Sequence, residues 1–466
     1  MPVLPMSLED RLYPLLKLYE AAPQALKSLA GRVYRAIPPG LRHGSAYPRF
    51  LDEAREVESW DAETIERYQV RALRESLIAA SKAPFYARRF AESGVRPEKF
   101  ESLEQLADYP LLTKQDLISQ REQMLNPEFG PEHGLHITTG GSSGVPVGFD
   151  LHKGVSRPKE QAYLEAQWAR RGYRVGDRVA VIRGGVTSSQ ASGGISFFDA
   201  TRDWLILSSY HLTPERLPEY VEELNRFQPR HLHAYPSSAL MLARGMEQAG
   251  LRLDFPLTSL LCGSEKLTAG SQCELEQFFG TRVFHWYGHS ERVVLAAQGR
   301  ESNMLHFWPT YGFVEFGEPD AEGNCEIIGT SFHNHVMPLI RYRTGDFCKP
   351  TLEAREFGWP AVEAVVGRDY EFLVSGTGRR ISLTAINMHD RVFDGLLAVQ
   401  FFQEQPGTVE CRLQPGPHWQ SARLEEIRAG LLAKLGDDFA LSLREVGEVG
   451  KTPAGKHRWL VTTLKQ

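Results

Sequence analysis

Five short stretches carry side chains whose types and spacing could do chemistry. The first is His136-Ile137-Thr138-Thr139-Gly140-Gly141-Ser142-Ser143-Gly144-Val145-Pro146-Val147, where glycines alternate with hydroxyls. Glycine lets backbone N–H groups approach a polyanion closely, and hydroxyls add hydrogen bonds to phosphate oxygens. The GK[ST] ending of a Walker loop is absent, so this is not a P-loop of that type. Read alone, it is equally a flexible surface loop. The second stretch is Trp286-Tyr287-Gly288-His289-Ser290-Glu291. Here an aromatic ring could stack on a purine, and Glu291 could offer a hard carboxylate oxygen to Mg²⁺. Alone, it is a strand-to-helix turn with Ser290 as an N-cap. The third is Arg341-Tyr342-Arg343-Thr344-Gly345-Asp346, where an aspartate after a glycine turn could accept two ribose hydroxyls; alone, it is an Asx-turn in a hairpin. Gly367-Arg368-Asp369-Tyr370-Glu371 and Lys451-Thr452-Pro453-Ala454-Gly455-Lys456-His457-Arg458 complete the set. Each is weak by itself.

Elements must position these stretches. The first 130 residues read as mostly helical, with Leu12, Leu15, Leu16 and Tyr19 at helical spacing and Ile65, Tyr68, Leu73 and Leu77 more loosely so. From residue 131 short apolar runs such as Val179–Ile182, Leu257–Leu261 and Val283–Trp286 alternate with helical patterns over Leu217–Phe227 and Ser238–Ala249. That alternation predicts an α/β architecture. Pro319–Asn324 predicts a hairpin turn in a later β region. A boundary is expected at Gly367-Arg368. Beyond it, a turn at Gly376–Gly378, an amphipathic helix over Leu424–Leu435 and a closing strand at Val461–Leu464 suffice for a small α+β domain. The expected organisation is a helical region 1–130 packed on the large domain, an α/β core 131–366 and a small domain 367–466.

Composition removes several function classes. Hydrophobic residues form 42% and charged residues 24% of the 466, as in ordinary globular proteins. With 53 Lys and Arg against 58 Asp and Glu, the net charge of -5 argues against nucleic acid as a partner. The five cysteines are scattered without a CxxC pair, which disfavours a disulfide framework or a thiol-rich zinc module. Cys325, His333, His335 and Cys348 lie within 24 residues, but their spacings match no standard zinc pattern. His231 and His233 alternate as on one face of a strand. The N-terminus lacks a signal-peptide pattern and no long apolar run occurs, so a cytoplasmic location is expected. One feature points elsewhere. Between residues 11 and 42 stand six Lys or Arg (Arg11, Lys17, Lys27, Arg32, Arg35, Arg42) and one acid, Glu20. Such a stretch is either a solvated helix face or a peripheral contact with an anionic membrane.

The five stretches, with Gly263-Ser264-Glu265 between the first and second, stand in an order and spacing that resemble the adenylate-forming superfamily of acyl-CoA synthetases. The resemblance is to its phenylacetate–CoA ligase-like branch. TGGSSG, YGHSER and Met337–Asp346 look like the members associated with capsular and exopolysaccharide gene clusters. Ala83-Pro84-Phe85-Tyr86 and Tyr109-Pro110-Leu111-Leu112-Thr113-Lys114 also resemble that branch. The likeness runs from about residue 70 to the end.

The resemblance implies a large α/β adenylate-forming domain with a helical N-terminal region and a small mobile α+β C-terminal lid. It implies an ATP-dependent ligase that joins a carboxylic acid to AMP, releases pyrophosphate, then passes the acyl group to CoA or to an amine or hydroxyl acceptor. ATP and Mg²⁺ are implied, and CoA in the first of those cases. Thr139, Ser142, Ser143 and Gly144 match the loop around the phosphates. Gly263, Ser264, Glu265 and Tyr287 match the adenine site, and Asp346 and Arg368 the ribose and phosphate contacts. Glu291 matches the Mg²⁺ carboxylate and Lys456 the mobile catalytic lysine. By position in the fold, Tyr235 and His289 would border the acyl pocket, or sit in the core without touching substrate. Val145 stands where many relatives have Lys, Gly140 replaces a common Ser, and bulky Tyr370 occupies the hinge position. These departures leave open a catalytically weak nucleotide-binding or scaffold subunit of a polysaccharide-synthesis machine. Neither the acid nor the choice between monomer and homodimer is legible.

Overall fold

The chain was analysed as a computed structural model, which describes Leu8, Phe393 and residues 22–139, 147–183, 194–320, 323–351, 356–366, 372–386, 396–416, 419–450 and 459–464. The expected helical start is present among these residues. Helices span Gln24–Ala36, Ala46–Glu56, Ala62–Ser81, Pro84–Ser93 and Lys114–Gln120. Helix Ala62–Ser81 starts where the Asp61 carboxylate accepts the Thr64 N–H at 2.8 Å, and it buries Tyr68, Ala72, Leu73, Leu77 and Ala80 along one stripe. The next begins with Pro84 in its first turn and ends at Gly94, in the left-handed conformation at φ 70°.

Strands β1 (Gly134–Thr139) and β2 (Val147–His152) form an antiparallel hairpin, with Thr139 opposite Val147. The remaining large-domain strands are β3 (Val179–Arg183), β4 (Ser196–Asp199), β5 (Trp204–Ser208), β6 (His231–Ala234), β7 (Ser259–Gly263), β8 (Val283–Gly288), β9 (Leu295–Gln298), β10 (Leu305–Phe307), β11 (Gly312–Phe316), β12 (Cys325–Ser331), β13 (Tyr342–Thr351) and β14 (Ala361–Val366). They form one twelve-stranded sheet in the order β11-β12-β13-β14-β10-β9-β8-β7-β6-β3-β5-β4. Strands β5, β3, β6, β7 and β8 are parallel neighbours, and the sheet turns antiparallel on both flanks. Strand β3 reads as an apolar run closed by Arg183, and among apolar residues β6 carries two buried histidines and β8 a half-buried one, while helices such as Leu217–Phe227 and Pro236–Gln248 pack on the sheet.

The antiparallel flank shares its core with the N-terminal helices through Leu73, Leu77, Phe85, Phe90, Leu305, Phe307 and Ile340. After β14 the chain enters a second sheet: β17 (Leu396–Gln405), β18 (Thr408–Pro415), β19 (Ala440–Glu445) and β20 (Leu460–Thr462), in the order β19-β18-β17-β20. It is preceded by the hairpin of β15 (Phe372–Val374) and β16 (Arg380–Ser382), whose turn holds Gly376–Gly378 as the sequence predicts. Helix Leu424–Leu435 buries Ile427, Leu431 and Leu435 against this sheet. Tyr210 and Tyr235 of the large sheet's rim join the same apolar cluster.

Candidate active site

Several of the described residues among those singled out in the sequence lie at or just past the C-terminal ends of the parallel strands. In open α/β sheets this edge is where ligands bind. Arg183 ends β3, Tyr235 follows β6, Gly263-Ser264-Glu265 follow β7, and Tyr287, His289 and Glu291 follow or end β8. Strand β13 brings Asp346 to the same place from 59 residues away: the Tyr287 hydroxyl donates to its carboxylate at 2.8 Å. A second tyrosine repeats the arrangement, with the Tyr342 hydroxyl 3.2 Å from the Glu291 carboxylate. His289 Nδ1 lies 3.4 Å from the other oxygen of Glu291.

The two carboxylates are shifted in opposite directions. Burial pushes Glu291 up, but His289 and, at longer range, Lys114 outweigh it and hold it down at about 2. Glu291 is therefore ionised at neutral pH. Asp346 is pushed above the ordinary aspartate value by burial, with the charge of Glu291 adding to the rise. The Tyr287 hydroxyl, His289 and Lys114 oppose it only partly. Glu291 also lines a cavity of about 10 Å³ with Ser156, Lys159, Arg292 and Tyr311, room for about one water. An ionised, buried glutamate beside a second carboxylate fits Mg²⁺, which takes one or two protein carboxylates and completes its shell with phosphates and water.

The two N-terminal phrases hold this site together. The Tyr86 hydroxyl donates to Pro338 O at 2.9 Å and accepts from Ile340 N at 3.2 Å, pinning the approach to β13. Leu112 bridges to Tyr342, and Arg341 donates to the carbonyls of Ala107 (2.8 Å) and Tyr109 (2.6 Å). Thr113 and Asp116 form a capping box that starts helix Lys114–Gln120 and puts Lys114 near Glu291 and Asp346.

At β7, a Cβ on Gly263 would come within 2.5 Å of the Trp286 ring, so only glycine allows the close approach of β7 and β8 there. Ser264 takes the left-handed conformation (φ 70°), and its hydroxyl accepts from Arg183 at 2.5 Å. The Glu265 carboxylate accepts from Ser237 N at 3.0 Å, at the start of helix Pro236–Gln248. The two expected acyl-pocket residues have different surroundings. His289 sits at the carboxylates, whereas Tyr235 is buried in the cluster of the C-terminal sheet with Arg183 4.5 Å above its ring. His231 is a core residue bonded to Ser259 (2.8 Å) and Asp177 (3.2 Å), and His233 is buried against Trp168. Cys325 and Cys348 are buried cross-strand partners. Among the described residues no group of three or more His, Cys, Asp or Glu could hold a metal by itself.

Ser142, Ser143, Gly144 and Val145, as well as Arg368, Tyr370 and Lys456, lie outside the described residues, and so does the side chain of Thr139. The sequence alone did not single out Arg183, Tyr342 or Lys114 as site residues. Arg183 had a signal: it is a cation that closes an otherwise apolar strand just before Gly184-Gly185. Lys114 and Tyr342 lie inside motifs of the sequence, but only the fold brings both to Glu291.

No family model matches the chain. Protein CapK of Staphylococcus aureus is 23% identical over 397 residues, covering 82% of this chain and 85% of that protein. A phenylacetate-coenzyme A ligase of Pseudomonas putida is 28% identical over 312 residues, 63% of this chain and 68% of that enzyme. Among solved structures, a 2-hydroxyisobutyryl-CoA ligase in its postadenylation state with an acyl-AMP superposes at a TM-score of 0.54. It has 18% identity and covers 92% of this chain and 94% of that one. The same ligase with acyl-AMP and CoA in the thioesterification state also gives 0.54, at 19% identity over 87% of this chain and 91% of that one. The fold is that of the adenylate-forming ligases, and the sequence resembles their CapK and phenylacetate–CoA ligase branch. Among the described residues no helix is long and apolar enough to cross a membrane.

Proposed function

We propose that the chain is an ATP-dependent, AMP-forming acid ligase. It would join a small carboxylic acid to AMP with release of pyrophosphate, then pass the acyl group to an acceptor. The observation that carries this reading is the pairing of Tyr287 on β8 with Asp346 on β13 beside the ionised Glu291, which follows β8. Asp346 would accept ribose hydroxyls, with the Tyr287 hydroxyl orienting its carboxylate. Glu291 would hold Mg²⁺, which when bound supplies positive charge to the phosphates. The incoming carboxylate and the α-phosphate are both anions, and Lys114 and Lys456 are the chain's cations assigned to offset their repulsion. The Gly/Ser loop 140–146 joins two paired strands, β1 and β2, whose fixed ends would present Thr139, Ser142, Ser143 and Gly144 to the phosphates. Gly263, Ser264 and Glu265 would border the adenine, and Arg368 a ribose or phosphate oxygen.

We read residues 131–366 as the nucleotide-binding core and residues 367–466 as a lid that carries Lys456. The acyl-adenylate is a mixed anhydride that water would destroy, so a closing lid protects it. Relatives named phenylacetate-coenzyme A ligase make CoA the first acceptor to try. The resemblance of TGGSSG, YGHSER and Met337–Asp346 to members associated with polysaccharide gene clusters makes an amine or hydroxyl of a polysaccharide precursor the second. The test is pyrophosphate release from MgATP across aryl, fatty, amino and short hydroxy acids, with hydroxylamine as trap and no CoA. Acid-dependent release that disappears in both Glu291→Gln and Lys456→Ala supports the reading. ATP binding without release from any acid overturns it.

A further inference from the structure

Helix Gln24–Ala36 is seated the wrong way round for a helix of a globular protein. Its point of closest approach to the body is Gly31, where a Cβ would stand 2.3 Å from the Ala200 carbonyl oxygen in the turn between β4 and β5. Arg35, four residues on, donates to the same carbonyl and pairs with Asp203 at 3.6 Å. At 3.6 residues per turn, Leu26, Leu29 and Val33 fall within an arc of about 60° on the side opposite Gly31. They are 58%, 54% and 61% exposed, and Leu41 in the next helical turn is 67% exposed. An amphipathic helix ordinarily turns its apolar stripe to the core. This one docks through a glycine and an arginine and turns its large apolar side chains to solvent.

The charge around that face is one-sided. Residues 22–51 contain Lys27, Arg32, Arg35, Arg42 and Arg49 and no Asp or Glu, in a chain whose net charge is -5. Arg32 and Arg49 are exposed. On the docked side, Asp203 pairs with Arg35 and Asp199 with Arg202 at 3.9 Å. Two copies of this face would bring like charges together, which disfavours self-association through it. An apolar stripe flanked by cations is instead complementary to an anionic lipid surface.

We infer that helix Gln24–Ala36 is a peripheral docking element for anionic membranes. Leu26, Leu29 and Val33 enter the boundary between headgroups and acyl chains, and Arg32 meets lipid phosphates. This inference stands apart from the catalytic reading, since none of these residues belongs to the nucleotide site. The test is flotation of the full-length protein with phosphatidylcholine vesicles, with and without phosphatidylglycerol. Binding is expected only with phosphatidylglycerol, weakened by added salt. It should be lost in the triple variant Leu26→Ser, Leu29→Ser, Val33→Ser and reduced in Arg32→Glu. These side chains face solvent, so both variants should keep the circular dichroism and melting temperature of the parent. Absence of flotation, equal flotation on neutral vesicles, or undiminished flotation of the triple variant would overturn the inference. So would a triple variant that shifts from dimer to monomer in sedimentation while the parent ignores vesicles, since that would make the face a contact between copies.

Discussion

Two half-buried carboxylates in this molecule have been given opposite partners. Asp346, at the nucleotide edge of the large sheet, is held by the neutral hydroxyl of Tyr287 and stands near a second carboxylate, Glu291. Asp438, where the C-terminal sheet meets the large one, is held by the guanidinium of Arg379. That guanidinium also donates to the carbonyls of Leu435 and Tyr210, so it ties the C-terminal hairpin to both sheets. The electrostatic result differs in sign. Asp346 is pushed up by burial and by Glu291. At Asp438 burial also pushes up, but Arg379 and the neighbouring hydroxyls outweigh it and hold it down. A carboxylate saturated by arginine is a structural joint. A carboxylate given a tyrosine hydroxyl and no arginine keeps charge and lone pairs for something that arrives later, at some expense of stability.

The comparison can be broken most severely at Glu291. Glu291→Gln removes the ionised carboxylate and should reduce acid-dependent pyrophosphate release by about two to three orders of magnitude. The melting temperature should barely change, because no arginine depends on that carboxylate among the described residues. Comparable activity in the variant would remove Glu291 from the site. Arg379→Ala should do the reverse. It leaves two buried carbonyls unpaired and Asp438 without its cation and should destabilise the C-terminal sheet by about 2 kcal/mol, seen as an early denaturant transition or early proteolysis of residues beyond 371. A single unshifted transition would mean that the joint is not formed in solution.

Tyr287→Phe is a milder change. Losing the hydroxyl that orients Asp346 should raise the KM for ATP by about three- to tenfold with little change in kcat. A change confined to kcat would place Tyr287 in the chemical step instead.

The smallest effects are in the pH dependence of stability. Asp438 binds its proton less readily folded than unfolded, so its contribution is present above the ordinary aspartate value of 3.8 and fades as pH falls below it. Asp346 binds its proton more readily folded, so its ionisation costs stability as pH rises above 3.8. Asp346→Asn should therefore leave the neutral-pH melting temperature unchanged or raised while abolishing nucleotide use. Asp438→Asn should lower it, and the two variants should converge with the parent in acid. Thermal melts across that range would show parallel curves if the two environments were alike.

Much of the local architecture was written in the order of residue types. The apolar spacing of Leu217–Phe227 and Leu424–Leu435 gave helices with those bounds, and the run at Val283 gave a buried strand ending at Gly288. These patterns are local, because a helix or strand needs its own residues to alternate correctly between core and solvent. The motif order likewise resembled a ligase family before any contact was known. Which groups meet was a different matter. Tyr287 and Asp346 are 59 residues apart and Tyr342 and Glu291 are 51 apart, and sheet order alone joins them. Lys114 reaches the site because Leu112 adds its backbone to the start of β13, a pairing with no periodic signal.

The N-terminal helix makes the same division. Its sequence determined that it would be basic and amphipathic. It could not determine which side would face the protein, since hydrophobicity alone would have sent Leu26, Leu29 and Val33 inward. That was decided by a missing Cβ at Gly31 and by one carbonyl at Ala200, steric facts that exist only once the chain has folded.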